Sequence, residues 1–202
     1  MKIIPITGAL LDSVVAVHRD AFASYPNVRL GVPYARRFLG WFASREDTIA
    51  LAAVSEDGAV LGYVVGARGA YGYALSRAVW RVAALAMLVR PWLLFDRRIV
   101  RAMQARLRLW RRTPAPAASM PEVLVPPLVS LVAIGTSRHH RRAGVAAALV
   151  EEFERAASRL GARTVRLTVY PSNAPARALY ERRGWNPLQG ASSDTMSYWK
   201  SL

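Results

Sequence analysis

Apolar and polar positions follow two rhythms along this chain of 202 residues, and each switch between them marks an element. Lys2 to Thr7 is a short apolar run, read as a first strand. From Gly8 to Ala23 the apolar positions Leu11, Val14, Val15, His18 and Phe22 fall at three- and four-residue spacing, the period of a helix. Tyr25-Pro26-Asn27 breaks that helix, and Pro33 opens a second with Tyr34, Phe38, Trp41 and Phe42 along one side. Two apolar runs, Thr48 to Ser55 and Ala59 to Ala67, flank Glu56-Asp57-Gly58, where Asp-Gly provides the turn of a hairpin. Helical spacing returns over about 75–89, ended by Pro91, and again over about 95–110 with Ile99, Met103, Leu107 and Trp110 in one stripe.

After the proline-rich connection Thr113 to Pro127 the pattern tightens. Leu128 to Ile134 is an apolar, β-branched run suited to a buried strand. Val145, Leu149, Phe153, Ala156 and Leu160 then share one helix face, with Gly161 placed to end it and Glu151, Glu152 and Glu154 off the stripe. Thr164 to Val169 alternates as a strand, Asn173-Ala174-Pro175 begins another helix, and Asp194 to Lys200 reads as the last strand. The strand after the connection must pair with those before it, so the whole of 1–202 is one domain with an insertion over about 68–127.

Composition narrows the functions available. Hydrophobic residues make up 53% of the chain, which rules out a largely disordered protein. There is no cysteine, so disulfides, thiolate metal sites and thiol nucleophiles are excluded. Adjacent His139 and His140 have no carboxylate near them in sequence and read as part of a solvated basic loop, so no metal site is expected. The formal charge is +15, carried almost wholly by arginine. Eleven arginines against one acid, Asp96, fall between Arg68 and Arg112, a net +10. Such a field attracts polyanions and repels polycations such as aminoglycosides, although an arginine-rich genome would give the same bias. Ala78 to Val89 is too short, at roughly 20 residues needed, to span a bilayer. Three readings of this basic hairpin remain: a peripheral membrane contact through 75–112 with Trp80, Trp92 and Trp110 at headgroup level, a cap on the substrate site or a homodimer interface, and, least favoured, nucleic-acid binding through phosphates. Met1 to Ile6 lacks the apolar core of a secretory signal, so a cytoplasmic location is expected, at most peripheral to the inner face of the membrane.

Chemistry concentrates where the strand at 128–134 turns into the helix at 145. Small residues at Ala143, Gly144 and Ala146 let a ligand approach the backbone. The first N–H groups of the helix lack partners, and Arg138, Arg141 and Arg142 add positive charge, so a pyrophosphate suits the turn. Arg141-x-x-Gly144-x-Ala146, followed by Asn173-x-x-Ala176-x-x-Leu179-Tyr180 and Gly184-Trp185, resembles the two motifs of the GNAT superfamily of acyl-CoA-dependent N-acyltransferases, in the right order. The turn from Gly135 to His140 is longer than is usual there and lacks proline, which leaves Arg138 and Arg141 both competing for the phosphates.

The resemblance implies an α/β fold: a mixed, mostly antiparallel central sheet of six or seven strands flanked by helices, with the basic helical insertion between strands 3 and 4. It implies acetyl-CoA as cofactor, held by Val132, Ala133, Ile134, Arg138, Arg141, Arg142, Ala143, Gly144, Val145, Ala146, Asn173, Ala176, Arg177 and Tyr180, with the two central parallel strands splayed apart. An acceptor amine would attack the thioester directly, with Tyr180 as general acid. The base is open between Glu122, just before the central strand, and Ser130 on it, either acting through water. Tyr25, Tyr34, Arg36, Arg37 and Tyr63 are implied as substrate contacts, against a packed or solvated role for each. Basic surface, insertion and tryptophans look like members that acetylate an anionic amino sugar on a nucleotide or lipid carrier. A protein or peptide amine, or a non-catalytic basic module on a CoA-binding fold, are the alternatives.

Overall fold

The computed structural model describes residues 1–23, 25–95, 100, 121–188 and 195–202. Seven strands form one sheet in the order β1-β2-β3-β4-β5-β7-β6: β1 Lys2–Pro5, β2 Thr48–Val54, β3 Val60–Arg68, β4 Leu128–Thr136, β5 Thr164–Val169, β6 Asn186–Leu188 and β7 Met196–Ser201. Every pairing is antiparallel except β4 with β5. Among the described residues six helices accompany it: α1 Leu11–Ala21, α2 Pro26–Arg29, α3 Val32–Ala43, α4 Tyr71–Val89, α5 Val145–Arg159 and α6 Ala174–Arg182. The mixed sheet flanked by helices is the architecture expected, with β6 added. The expected helix over 95–110 and most of the connection after it lie outside the described residues.

Two cores sit on opposite faces of the sheet. One is built by α1, α3 and α4 against Tyr63, Val65 and Ala67 of β3. The other is built by α5 and α6 against Val64, Val129, Leu131, Val165 and Leu167. The helix stripe read from sequence is the buried side of α5, where Val145, Leu149 and Phe153 are covered. The acids off that stripe are not all solvated, however. Glu154 accepts hydrogen bonds from Trp185 Nε1 and Lys200 Nζ, each at 2.7 Å, and so ties α5 to the far edge of the sheet.

Both helices of that layer end in the same way. Gly161 and Gly184 have positive φ, Ala162 N–H donates to Ala157 O, and Trp185 N–H donates to Tyr180 O, each at 3.0 Å. These six-to-one bonds satisfy carbonyls that would otherwise be stranded at a helix end. At its start α6 is capped by the Asn173 side chain, which accepts from Ala176 N–H at 3.3 Å.

The insertion differs from expectation in one element. Helix α4 begins at Tyr71 rather than near Leu75 and runs for 19 residues, long and apolar enough by length and composition to cross a membrane. The sequence reading counted only the run from Ala78. Leu75, Ser76, Val79 and Ala83 of α4 are buried in the α1-side core, so in this fold the helix is one wall of the domain.

Two glycines of β3 set how closely α5 approaches. A Cβ on Gly62 would lie 2.9 Å from Gly135 O and 3.0 Å from Val145 Cγ1; one on Gly66 would lie 2.4 Å from Phe153 Cε2 and 2.6 Å from Ser130 O. Phe153 has no room to retreat in a close-packed core, and Ser130 O is backbone. Gly66→Ala is therefore expected to cost roughly 3 kcal/mol, read from the midpoint of urea unfolding.

His18 is a packed histidine, only 6% exposed, and its Nδ1 shares a hydrogen bond of 2.5 Å with Tyr63 Oη. Burial lowers its pKa from 6.5 to about 4. Between those values the unfolded chain binds a proton that the folded one does not, so stability is lost as pH falls from 6.5 through about 4. The loss is about 3 kcal/mol. A His18→Gln variant is expected to show a flatter stability profile than wild type across that interval, measured by urea unfolding at stepped pH.

Candidate active site

The parallel strands β4 and β5 pair only from Leu128↔Thr164 to Leu131↔Leu167 and then part. At the same level β4 bulges: Val65 pairs with Ala133 and Gly66 with Leu131, so Val132 is the extra residue. A bulge bends its strand and increases local twist, which carries the rest of β4 away from β5. From Val132 to Thr136 no strand covers the β5-facing edge of β4. A peptide-like chain laid there meets exposed N–H and C=O groups, the part expected of Val132, Ala133 and Ile134.

Above the parting lies a cleft of about 710 Å³ between the end of β4, the start of α5 and the inner side of α6. Its rim is the turn from Ser137 to Gly144. Arg142 (φ 64°) and Gly144 (φ 77°) are both left-handed, and Gly144 caps α5. Arg142 is the only non-glycine residue with positive φ among the described residues, a conformation costing about 1–2 kcal/mol. The strain aims successive N–H groups of the turn and the first turn of α5 outward, an anion-binding arrangement. A Cβ built on Gly144 meets nothing within 4 Å, so the room a phosphate needs is open.

The two candidate arginines have different surroundings. Arg138 is tied to Asp20 of α1, its N–H donating to Oδ2 at 2.8 Å and its Nε lying 2.9 Å from Oδ1. Arg141 and Arg142 line the cleft instead. With them along the cleft are Ile134, Val145, Ala146, Asn173, Ala176 and Tyr180, as expected, together with His140, which the sequence reading left in a solvated loop. Val132 and Ala133 pack toward the α1-side core, and Ala143 is exposed beside the cleft. Arg177 turns away: its Nη1 donates to Pro171 O at 3.1 Å.

Three polar side chains meet at the deep end. Tyr180 is 4% exposed, with its ring 5.7 Å from Trp185 and 6.1 Å from Tyr198. Burial pushes its hydroxyl well above the usual phenol pKa, and nearby Tyr25 adds to the effect. Tyr25 reaches in from the end of α1 and hydrogen-bonds the Asn173 side chain, with its ring 5.0 Å from Phe22 and 5.5 Å from Tyr170. Its hydroxyl pKa is also raised, chiefly by burial. Tyr180 is thus neutral and proton-bearing at the cleft wall, while Asn173 serves both the helix cap and Tyr25.

Other expected contacts are not brought to the cleft. Tyr34 is buried in the α1-side core, stacked on Phe38. Tyr63 is fully buried against His18, because its strand position faces α1 rather than the cleft. Arg37 Nε donates to Ala78 O at 3.0 Å and fastens α3 to α4, and Arg36 pairs with Asp12. Glu122 is exposed, precedes β4 at the end opposite to the cleft, and is not among the residues lining it.

A second polar cluster was not read from sequence. Arg166 of β5 stands on the sheet face opposite Val165 and Leu167, one residue before the strands part, and its Nε donates to Ser130 Oγ at 3.0 Å. Tyr71, at the start of α4, lies close enough for the Arg166 charge to oppose the burial that raises its hydroxyl pKa. No carboxylate pairs with Arg166 among the described residues. The available signal was a charged residue inside a central strand, a costly position unless the charge is used.

A family model for the Acetyltransferase (GNAT) family matches residues 14–185, and the chain belongs to that family. It is an acetyl-CoA-dependent acetyltransferase. Among solved structures, a histone acetyltransferase HPA2 and related acetyltransferase from Corynebacterium glutamicum superposes with a TM-score of 0.60 at 18% identity, covering 99% of this chain and 95% of that one. NAA60 of Arabidopsis thaliana with acetyl-CoA gives 0.60 at 16%, covering 100% and 98%. The ribosomal-protein-S18-alanine N-acetyltransferase from Escherichia coli gives 0.58 at 15%, covering 100% and 93%. No curated protein matches in sequence. The β4 edge left uncovered by the described strands, the open space at Gly144 and Arg141 and Arg142 along the cleft fit an extended pantetheine arm and a pyrophosphate.

Gly144→Glu would place a bulky anion in that space on a backbone that disfavours any side chain, and Arg141→Ala would remove a cation from the rim. Calorimetric titration with acetyl-CoA is expected to show binding abolished by the first and weakened about tenfold by the second. Equal affinity in all three proteins would remove the turn from the cofactor site.

Proposed function

We propose that the enzyme acetylates the primary amine of an anionic small molecule, an amino sugar carried on a nucleotide or lipid pyrophosphate. The observation that carries this reading is Arg166, a half-buried guanidinium with a hydroxyl partner and no carboxylate among the described residues, just below the point where β4 and β5 part. A cation held this way recognises an anion that arrives with the substrate. The net charge of +15 favours the same class and disfavours polycationic amines.

Acetyl-CoA supplies the acetyl group as a thioester open to attack by an amine. The residues that hold it are the β4 edge from Val132 to Ile134, the backbone of the Arg142–Ala146 turn, and Arg141. Tyr180 Oη keeps its proton at neutral pH because burial disfavours the phenolate, and that proton is available to a departing sulfur. Tyr25 and Asn173 position the end of the cleft where transfer takes place. Ser130 Oγ accepts a hydrogen bond from Arg166 Nε and so helps to position that guanidinium.

Two substitutions test the scheme in an acetyl-transfer assay on nucleotide-linked amino sugars, with peptide amines in parallel. Tyr180→Phe is expected to lower kcat by roughly 100-fold with KM little changed. Arg166→Gln is expected to raise the acceptor KM roughly tenfold or more without altering acetyl-CoA affinity. Activity of Tyr180→Phe equal to wild type at every pH would remove Tyr180 as the acid. Peptides acetylated in preference to every amino sugar would replace the acceptor.

A further inference from the structure

The C-terminal end of α4 and the 3-10 turn Pro91–Phe95 carry an apolar surface that nothing among the described residues covers. Leu85, Leu88 and Val89 of the helix and Trp92 and Phe95 of the turn are all exposed, Leu88 at 78% and Phe95 at 87%. Single exposed apolar residues are ordinary; five contiguous ones at the tip of one element are not. The tip is rigidly mounted. Leu93, between the two exposed aromatics, is buried in the α1-side core, and Arg90 Nη1 donates to Arg29 O at 3.2 Å.

The charge around this tip has one sign. Arg77 and Arg81 lie on the same exposed face of α4, one to three turns from the tip. Arg77 stands over the Tyr73 ring and Arg81 over Trp80, both aromatics exposed. No Asp or Glu occurs between Asp57 and Asp96. An apolar end, a collar of arginine and tryptophan and no acid anywhere on the element together match the layers of a membrane surface, with acyl chains beneath anionic headgroups.

We infer that the α4 tip is a peripheral docking surface for an anionic phospholipid bilayer: Leu85, Leu88, Val89, Trp92 and Phe95 enter the acyl boundary while Arg77 and Arg81 stay among the headgroups. The helix does not cross the bilayer, because Leu75, Val79 and Ala83 on its other face are core residues. Docking brings the α2 corner, held by Arg90, against the membrane. The inference is independent of the acceptor, since binding is measured without turnover.

The test is sedimentation of the full-length protein with extruded phosphatidylcholine vesicles, with and without phosphatidylglycerol. Binding is expected only to the anionic vesicles, weakening as salt is raised. Arg77→Glu/Arg81→Glu is expected to lose more than about 25-fold, from roughly 5-fold for each arginine removed. Leu88→Glu/Trp92→Glu is expected to lose on the order of tenfold or more, and both variants keep wild-type acetyl-CoA affinity as the control for folding. The inference is overturned by failure to bind anionic vesicles, or by Leu88→Glu/Trp92→Glu binding like wild type. It is equally overturned by protein that stays with the lipid after an alkaline wash, which would mean a spanning helix. A dimer in solution that this variant abolishes, with no vesicle binding, would assign the surface to a second copy.

Discussion

The parting of β4 from β5 is the constraint on which the rest of this structure depends. Inside a sheet each backbone N–H and C=O has a partner, and giving up a ladder in mid-sheet strands several of them. The chain accepts that cost at one place, from Val132 onward, where a bulge turns β4 aside just as the pairing with β5 stops. The stranded edge is what a peptide-like cofactor arm repairs. Because β4 leads into the turn that starts α5, the same departure carries the N–H groups at the head of α5 to the mouth of the opening. Because β5 leads into α6, the opposite wall is the helix that holds Tyr180.

Each wall is fixed by bonds outside the cleft. Asp20 holds Arg138 and so anchors the front of the phosphate turn to α1. The bond from Trp185 N–H to Tyr180 O closes α6 over the left-handed Gly184 and sets the position of the tyrosine. Glu154, accepting from both Trp185 and Lys200, joins α5 to the segment that follows α6. A cleft between two helices stays a defined distance wide only if the helices are tied elsewhere, and here the ties are charged or capped groups. Burial of Tyr180 and of Tyr25 then leaves neutral, proton-bearing hydroxyls rather than charges at the inner end.

The sheet also separates two kinds of chemistry. The α5 and α6 face carries the cofactor cleft, while the opposite face presents Arg166 and Ser130 beneath the start of α4. Within the insertion, α4 therefore begins beside this second cluster, with Tyr71, and leads to the exposed apolar tip. One helix thus runs from the Arg166 cluster to the exposed apolar tip.

The elements and the phosphate turn were legible in the chain because they follow from local rules. The stripe from Val145 to Phe153, the stops at Gly161 and Gly184, the Asn173 cap and the Asp-Gly hairpin depend on residues within one or two turns of each other. Spacing alone also placed Gly144 and Tyr180 on their elements, and the family motif then singled them out. What no local rule supplies is which face of an element meets which neighbour. Tyr34 and Tyr63 are polar-tipped aromatics on correctly read elements, yet packing turns them into the core. Arg138 and Arg141 are alike in sequence, and only the arrival of Asp20 from a different helix separates them. Glu122 sits at the wrong end of a strand, and Arg166 acquires its place from a partner 36 positions away. Helix and turn formation are set by neighbours along the chain, whereas a side chain's surroundings are set by long-range packing; the sequence by itself determined the first, and the tertiary structure alone decided the second.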